Sequence, residues 1–145
     1  MRRLTPEWLT RADSDLGTAR REQEPNPEAA AYHAQQCAEK CLKAYLQEQG
    51  TPPPRTHDLR AIAGTHPELE RALGAHGEAL RVPTEYEAQT RYPPGMWVTL
   101  EQAQQAVRLA DEIRAIVFGL LGADPAVPWD ARPGAGEGTR SPASG

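Results

Sequence analysis

His33, Cys37 and Cys41 fall at i, i+4 and i+8 in the stretch YHAQQCAEKCLKAYL, residues 32–46. On a helix these side chains share one face, and a histidine with two cysteines is a ligand set that suits zinc. Distance argues against that chemistry. The outer two lie about 12 Å apart at a rise of about 1.5 Å per residue, whereas metal bonds measure about 2.0–2.3 Å. At most two of the three could share one ion, and further ligands would have to come from elsewhere. Both cysteines also sit within an apolar stripe, where a free thiol packs as a small hydrophobe. Core packing is the expectation, with neither metal nor cofactor.

A second row runs beside the first. His33, Gln36, Lys40 and Lys43 recur at spacings of three and four. One reading is a solvated helix face, on which Glu39 and Lys43 form an i, i+4 pair that contributes about 0.2–0.5 kcal/mol. The other is a margin that faces a groove or a partner subunit. There the lysines would meet phosphate, and Tyr32 or Tyr45 would stack on a base. Both readings stay open on this stretch alone.

The elements that must carry these residues are helices. In TPEWLTRADSDLGTAR, Thr5 can cap, Pro6 suits the first turn, and Trp8, Leu9, Ala12, Leu16 and Ala19 form a stripe. A second helix runs from an Asn26–Pro27 start to about Gln49, where Gly50 and TPPP stop it. Its stripe is Ala34, Cys37, Ala38, Cys41, Leu42 and Tyr45. The third, TLEQAQQAVRLADEIRAIVFGLLG, opens on a Thr99–Gln102 capping box and ends at Gly122. Its stripe is Leu100, Ala103, Val107, Ala110, Ile113, Val117 and Leu120. Between Thr56 and Arg91 the pattern is choppier. HDLRAIAG reads as a short helix, HPELERALGAHGEALRV as one or two more broken by Gly74 and Gly77, and TEYEAQTR as a last turn or two. The paired prolines make RYPPGMWV a loop. No segment reads as a strand. The fold class is all-α: an antiparallel four-helix bundle with one or two extra short helices.

Length and composition bound what such a bundle can do. The chain has 145 residues and a formal net charge of -4, enough for one domain with a real core. There is no global basic excess, so contact with nucleic acid would need a local patch. The start, MRRLTPEWLT, has no apolar stretch after its arginines, and no run approaches the roughly 18 apolar residues of a membrane span. Two neighbouring cysteines without an export signal point to a reducing cytoplasm and free thiols. The helical domain is expected over residues 1–122. The Pro-, Gly- and Ser-rich stretch 123–145 is expected to be a disordered tail, in which a solitary Trp129 could dock on something.

WLTRADSDLGTA, AAYHAQQCAEKCLKAYL, THDLRAI and EYEAQTRYP, followed by a long last helix, resemble in that order the HEPN domain, over roughly residues 5–121. The combination of HAQQxAEKxLKAxL with THDL carries the resemblance. It implies four main helices with a short fifth, and a dimer formed through the long helices. A minimal nucleotidyltransferase (MNT) partner, encoded beside many members, is also implied. Some members are toxins that cleave RNA with an Arg-x4-6-His motif near the start of the last long helix, two copies of which meet across the dimer. In that chemistry histidine moves a proton at the 2'-hydroxyl or the leaving oxygen, and arginine stabilises charge on phosphate.

That motif is not kept at its expected place. Arg91 is present, but four to six residues on come Gly95, Met96 and Trp97, then Val98, with no histidine and behind two prolines. The RYP sequence there resembles a non-nuclease branch. A formal match occurs upstream at Arg71 and His76, in a glycine-interrupted segment. His57 and Asp58 of THDL carry two readings. Thr56 or Asp58 caps a short helix while Leu59 and Ile62 pack inward, or His57 joins Lys40 and Arg91 around an anion cleft. Tyr86, Arg91 and Tyr92 form either an aromatic and guanidinium patch for a nucleotide or a packed loop. The functional expectation is a non-catalytic, dimeric module that binds nucleotide or RNA between helices beside an MNT-type partner. The alternatives are a metal-independent ribonuclease toxin of a toxin–antitoxin pair, and a purely structural protein-interaction partner.

Overall fold

A computed structural model describes residues 5–74 and 98–131. These form α1 (Thr5–Glu22), α2 (Pro27–Glu48), the short α3 (Leu59–Ala63) and α4 (Pro67–Ala72), and α5 (Leu100–Leu120), followed by a 3-10 turn at Trp129–Ala131. No strand occurs among the described residues. The turns expected within 75–97, and the tail from 132 onward, lie outside them.

Local chemistry sets the helix ends. The Asn26 side chain accepts from the Ala29 N–H and Pro27 opens the first turn of α2, so donors left over at the helix start are satisfied. At the other end Gly50 has φ 74°, and the Thr51 N–H reaches back to the Leu46 carbonyl at 2.9 Å. Only glycine adopts that left-handed turn without a Cβ penalty. Thr99 and Gln102 form the reciprocal capping box of α5. Asp58 caps α3 by accepting from the Arg60 N–H, and Thr56 accepts from the Asp58 N–H.

The stripes meet at one core. α2 is its centre, packed against α1 on one side and α5 on the other, with α3 against it. Leu9, Ala12, Leu16 and Ala19 of α1 are buried against Ala34, Cys37, Ala38, Cys41, Leu42 and Tyr45 of α2, and Ala103, Val107, Ala110, Ile113 and Val117 of α5 complete the core. Small residues at Ala30, Ala31, Ala34, Ala38 and Ala44 leave little side-chain bulk between α2 and its neighbours. α1 and α5 run in opposite senses, as the pairs Asp13–Arg114 and Arg20–Asp111 show. Three stripe positions depart from expectation: Leu100 is 40% exposed, and Trp8 and Leu120 are only partly covered. Leu100 is the first residue of α5, before the helix has turned toward the core.

Residues 123–131 depart further. Composition assigns them to a disordered tail, yet Trp129 is buried and its ring meets Phe118 edge-on at 5.8 Å. One aromatic anchor and a set of main-chain hydrogen bonds replace the apolar area that the segment lacks. The packed chain therefore runs past 122.

Candidate functional site

The polar row of α2 is built into the protein rather than solvated. His33 Nδ1 bonds Asp15 Oδ1 of α1 at 2.9 Å, and Lys40 Nζ bonds the other oxygen of the same carboxylate. One turn away the arrangement repeats. Glu39 receives Lys43 Nζ at 2.9 Å, Gln35 Nε2 at 3.1 Å and His57 Nδ1 at 2.8 Å. Each carboxylate thus holds one lysine and one histidine. With Asp15 and Glu39 ionised, the imidazole Nδ1 atoms must carry the protons and donate, which leaves Nε2 as the ring edge turned away from each carboxylate. Gln36 donates to Gln35 Oε1 at 2.7 Å, and Gln35 also donates to the His57 carbonyl at 3.3 Å, so α2 is stitched to the segment that leads into α3.

Side-chain exposure is 33% for His33, 21% for Lys40 and 15% for Lys43, against 7% for Glu39. Burial disfavours the charged Glu39 carboxylate. The bonds from His57, Lys43 and Gln35 more than offset that penalty and hold its pKa below the ordinary value. The Glu39–Lys43 contact is therefore a half-buried part of a network, not the solvated i, i+4 pair the helix alone suggests.

Cys37 and Cys41 are free, fully buried thiols. The Cys37 thiol is pushed well up by its hydrogen bond with Cys41 and by burial, the opposite of what a thiolate ligand requires. Among the described residues no three metal-ligating side chains converge. Tyr45, expected as a possible stacking surface, is buried in the core and donates to Glu68 at 3.2 Å. Tyr32 lies beside His33, ring to ring at 5.4 Å and nearly perpendicular.

The structure thus gathers the row into two clusters, His33 and Lys40 on Asp15, and Gln36, Lys43 and His57 around Glu39 and Gln35. It does not pair His57 with Lys40: the two belong to different carboxylates. Arg71 lies exposed in the last turn of α4. His76, Tyr86, Arg91 and Tyr92 lie outside the described residues. Sequence reasoning passed over Asp15 and Gln35, and took Glu39 only as the surface partner of Lys43 rather than as a buried acceptor. A signal was present. Asp15 stands three residues from Ala12 and four from Ala19, both on the buried stripe. A carboxylate in that place needs a partner.

The matching family model, the HEPN domain, spans residues 5–120. The chain belongs to the HEPN family. Two solved structures are similar to this HEPN domain. TT1696 from Thermus thermophilus shares 26% identity at a TM-score of 0.73, covering 81% of this chain and 98% of its own. ST0689, an archaeal HEPN homologue, shares 26% identity at a TM-score of 0.62, covering 83% of this chain and 99% of its own. Among curated proteins no sequence matches. No helix among the described residues of this HEPN chain is long and apolar enough to cross a membrane.

Proposed function

We propose that this HEPN chain is a non-catalytic binding module that works as a homodimer, takes a nucleotide or RNA phosphate along the α2 row, and operates beside an MNT-type nucleotidyltransferase. The observation that carries the reading is the preset row. His33, Lys40 and Lys43 are already ordered by Asp15 and Glu39, so a ligand would find two lysine donors whose rotamer freedom is already restricted. Arg91, with Tyr86 and Tyr92 on either side of it in sequence, would extend the site. The dimer and the MNT partner come from the family resemblance.

Charge sets how strong such binding can be. With neutral imidazoles, two ammonium groups face two carboxylates and the row sums to zero. A phosphate would share the lysines with Asp15 and Glu39, so the affinity is expected to be weak. The same pairing favours a second reading, a structural protein-interaction partner with no small ligand. Against a ribonuclease stands the sequence itself, which has no histidine from four to seven residues after Arg91.

Fluorescence anisotropy of the full chain with a labelled ATP analogue and a labelled single-stranded RNA separates these readings. Binding by the wild type that Lys40→Ala with Arg91→Ala abolishes, at an unchanged far-UV circular dichroism spectrum, supports the binding module. No wild-type binding at millimolar nucleotide leaves the structural partner. Cleavage of the RNA in a chelating buffer, removed by His76→Ala, would instead make the protein a nuclease.

A further inference from the structure

The segment after α5 is held by a compact set of bonds. The Arg114 guanidinium donates through Nε to Asp13 Oδ1 at 2.5 Å and through its terminal nitrogens to the carbonyls of Pro125, at 2.6 Å, and Val127, at 3.3 Å. Asp13 Oδ2 in turn accepts the Trp129 backbone N–H at 2.6 Å. The side chains of Arg114 and Asp13 are only 8% and 14% exposed. The guanidinium also lies over the Phe118 ring, 4.1 Å from its centroid, while the Trp129 ring meets the same phenyl edge-on.

Three features set these contacts apart from ordinary core packing. Every polar contact named above to the segment is to its main chain: two carbonyls and one N–H. One buried side chain, Trp129, supplies the main apolar anchor, with Ala123 partly buried against the core. Extended peptides are recognised in this way, with backbone groups giving affinity and one pocket giving specificity. Moreover, the segment starts at a turn of its own. Gly122 has φ 76°, with open space where a Cβ would lie, and Asp124 closes a local turn by accepting from the Ala126 N–H at 2.9 Å. The family match ends at 120, before any of this begins.

We propose that residues 123–131 are a detachable clamp: a peptide seated in cis on a docking surface made by Asp13, Arg114 and Phe118, which opens as a unit about Gly122 while the helices stay folded. Asp13 and Arg114 are the catch. Opening the clamp uncovers the Phe118 ring and a buried ion pair across the junction of α1 and α5. Helix contacts do not depend on it, because α1 and α5 are each packed on α2 by separate stripes. Segments held by few apolar contacts open at free energies below that of global unfolding.

Hydrogen exchange on the full chain tests this. In Arg114→Gln the amides of Val127 and Trp129 should exchange at least about tenfold faster than in the wild type, with α1, α2 and α5 keeping their rates. Unchanged exchange at Val127 and Trp129 would show that Arg114 is not the catch. Loss of protection throughout the helices would show that the segment is part of the core rather than a clamp. Either result overturns the proposal. Should Arg114→Gln fail to fold, Asp13→Asn gives the same reading: faster exchange at Trp129 over unchanged helices is expected, and the other two patterns again overturn it.

Discussion

Glu39 shows how a residue's neighbours decide its meaning. Its carboxylate is buried and receives three side-chain donors, so removing it leaves Lys43 and Gln35 facing a vacancy in a low-dielectric place. Glu39→Ala is expected to cost about 2–3 kcal/mol, below the roughly 3–5 kcal/mol of a fully buried pair because His57 is exposed and solvent screens it. Urea denaturation gives the number. The sign of the pH dependence follows from the lowered pKa. The unfolded value is about 4.3 and the folded value lies beneath it. The stabilisation is then fully present above about pH 4.3 and is lost as pH falls through the folded pKa. Wild-type stability should drop more steeply than that of Glu39→Gln as pH is lowered from about 5 to about 3. Parallel curves would mean that the carboxylate bonds contribute nothing specific to folding.

At the scale of elements, the boundaries of α2 rest on a few atoms. Gly50 turns with a positive φ, and any Cβ there meets the left-handed penalty. Gly50→Ala should lower stability by about 1 kcal/mol. Asn26→Ala, which removes the acceptor for the Ala29 N–H, should cost about the same. Thermal melts of the two variants and the double variant check this, and the two effects should add because the sites lie at opposite ends of the helix. An interior change behaves differently. Leu42→Ala removes a fully buried side chain from the central helix and should cost about 2–5 kcal/mol, with the larger values expected if the helices cannot close the gap.

For the whole molecule, α2 has neighbours on two sides while α1 and α5 touch each other less. The bundle is a helix with two flanks, and its polar row crosses from α1 through α2 to the start of α3. If two copies share a groove, light scattering of the full chain at micromolar concentration should give twice the monomer mass of 15.9 kDa. A stable monomer would remove the shared-groove part of the proposed function and leave the single-chain network as it stands.

Much of this architecture was legible in the sequence. The three long helices, their caps at Asn26 and Thr99, the stop at Gly50 and the burial of Cys37 and Cys41 all follow from periodicity and end chemistry. Those are short-range properties: a helix needs only its own stripe and its own terminal residues to declare itself. The ordered motifs were enough to place the chain beside the HEPN family. What the sequence could not carry is pairing across distance. Asp15 meets His33 and Lys40 from another helix, Glu39 collects His57 from a loop, and Asp13 of the first helix joins Arg114 of the last. Arg114 did leave a trace, since it stands at a core spacing between Ala110 and Phe118. A charge at such a position announces a buried partner without saying which. The same holds for Trp129. Composition made its segment a tail, and only the fold supplied the guanidinium and the phenyl ring that hold it, because buried polar groups are decided by what lies opposite them.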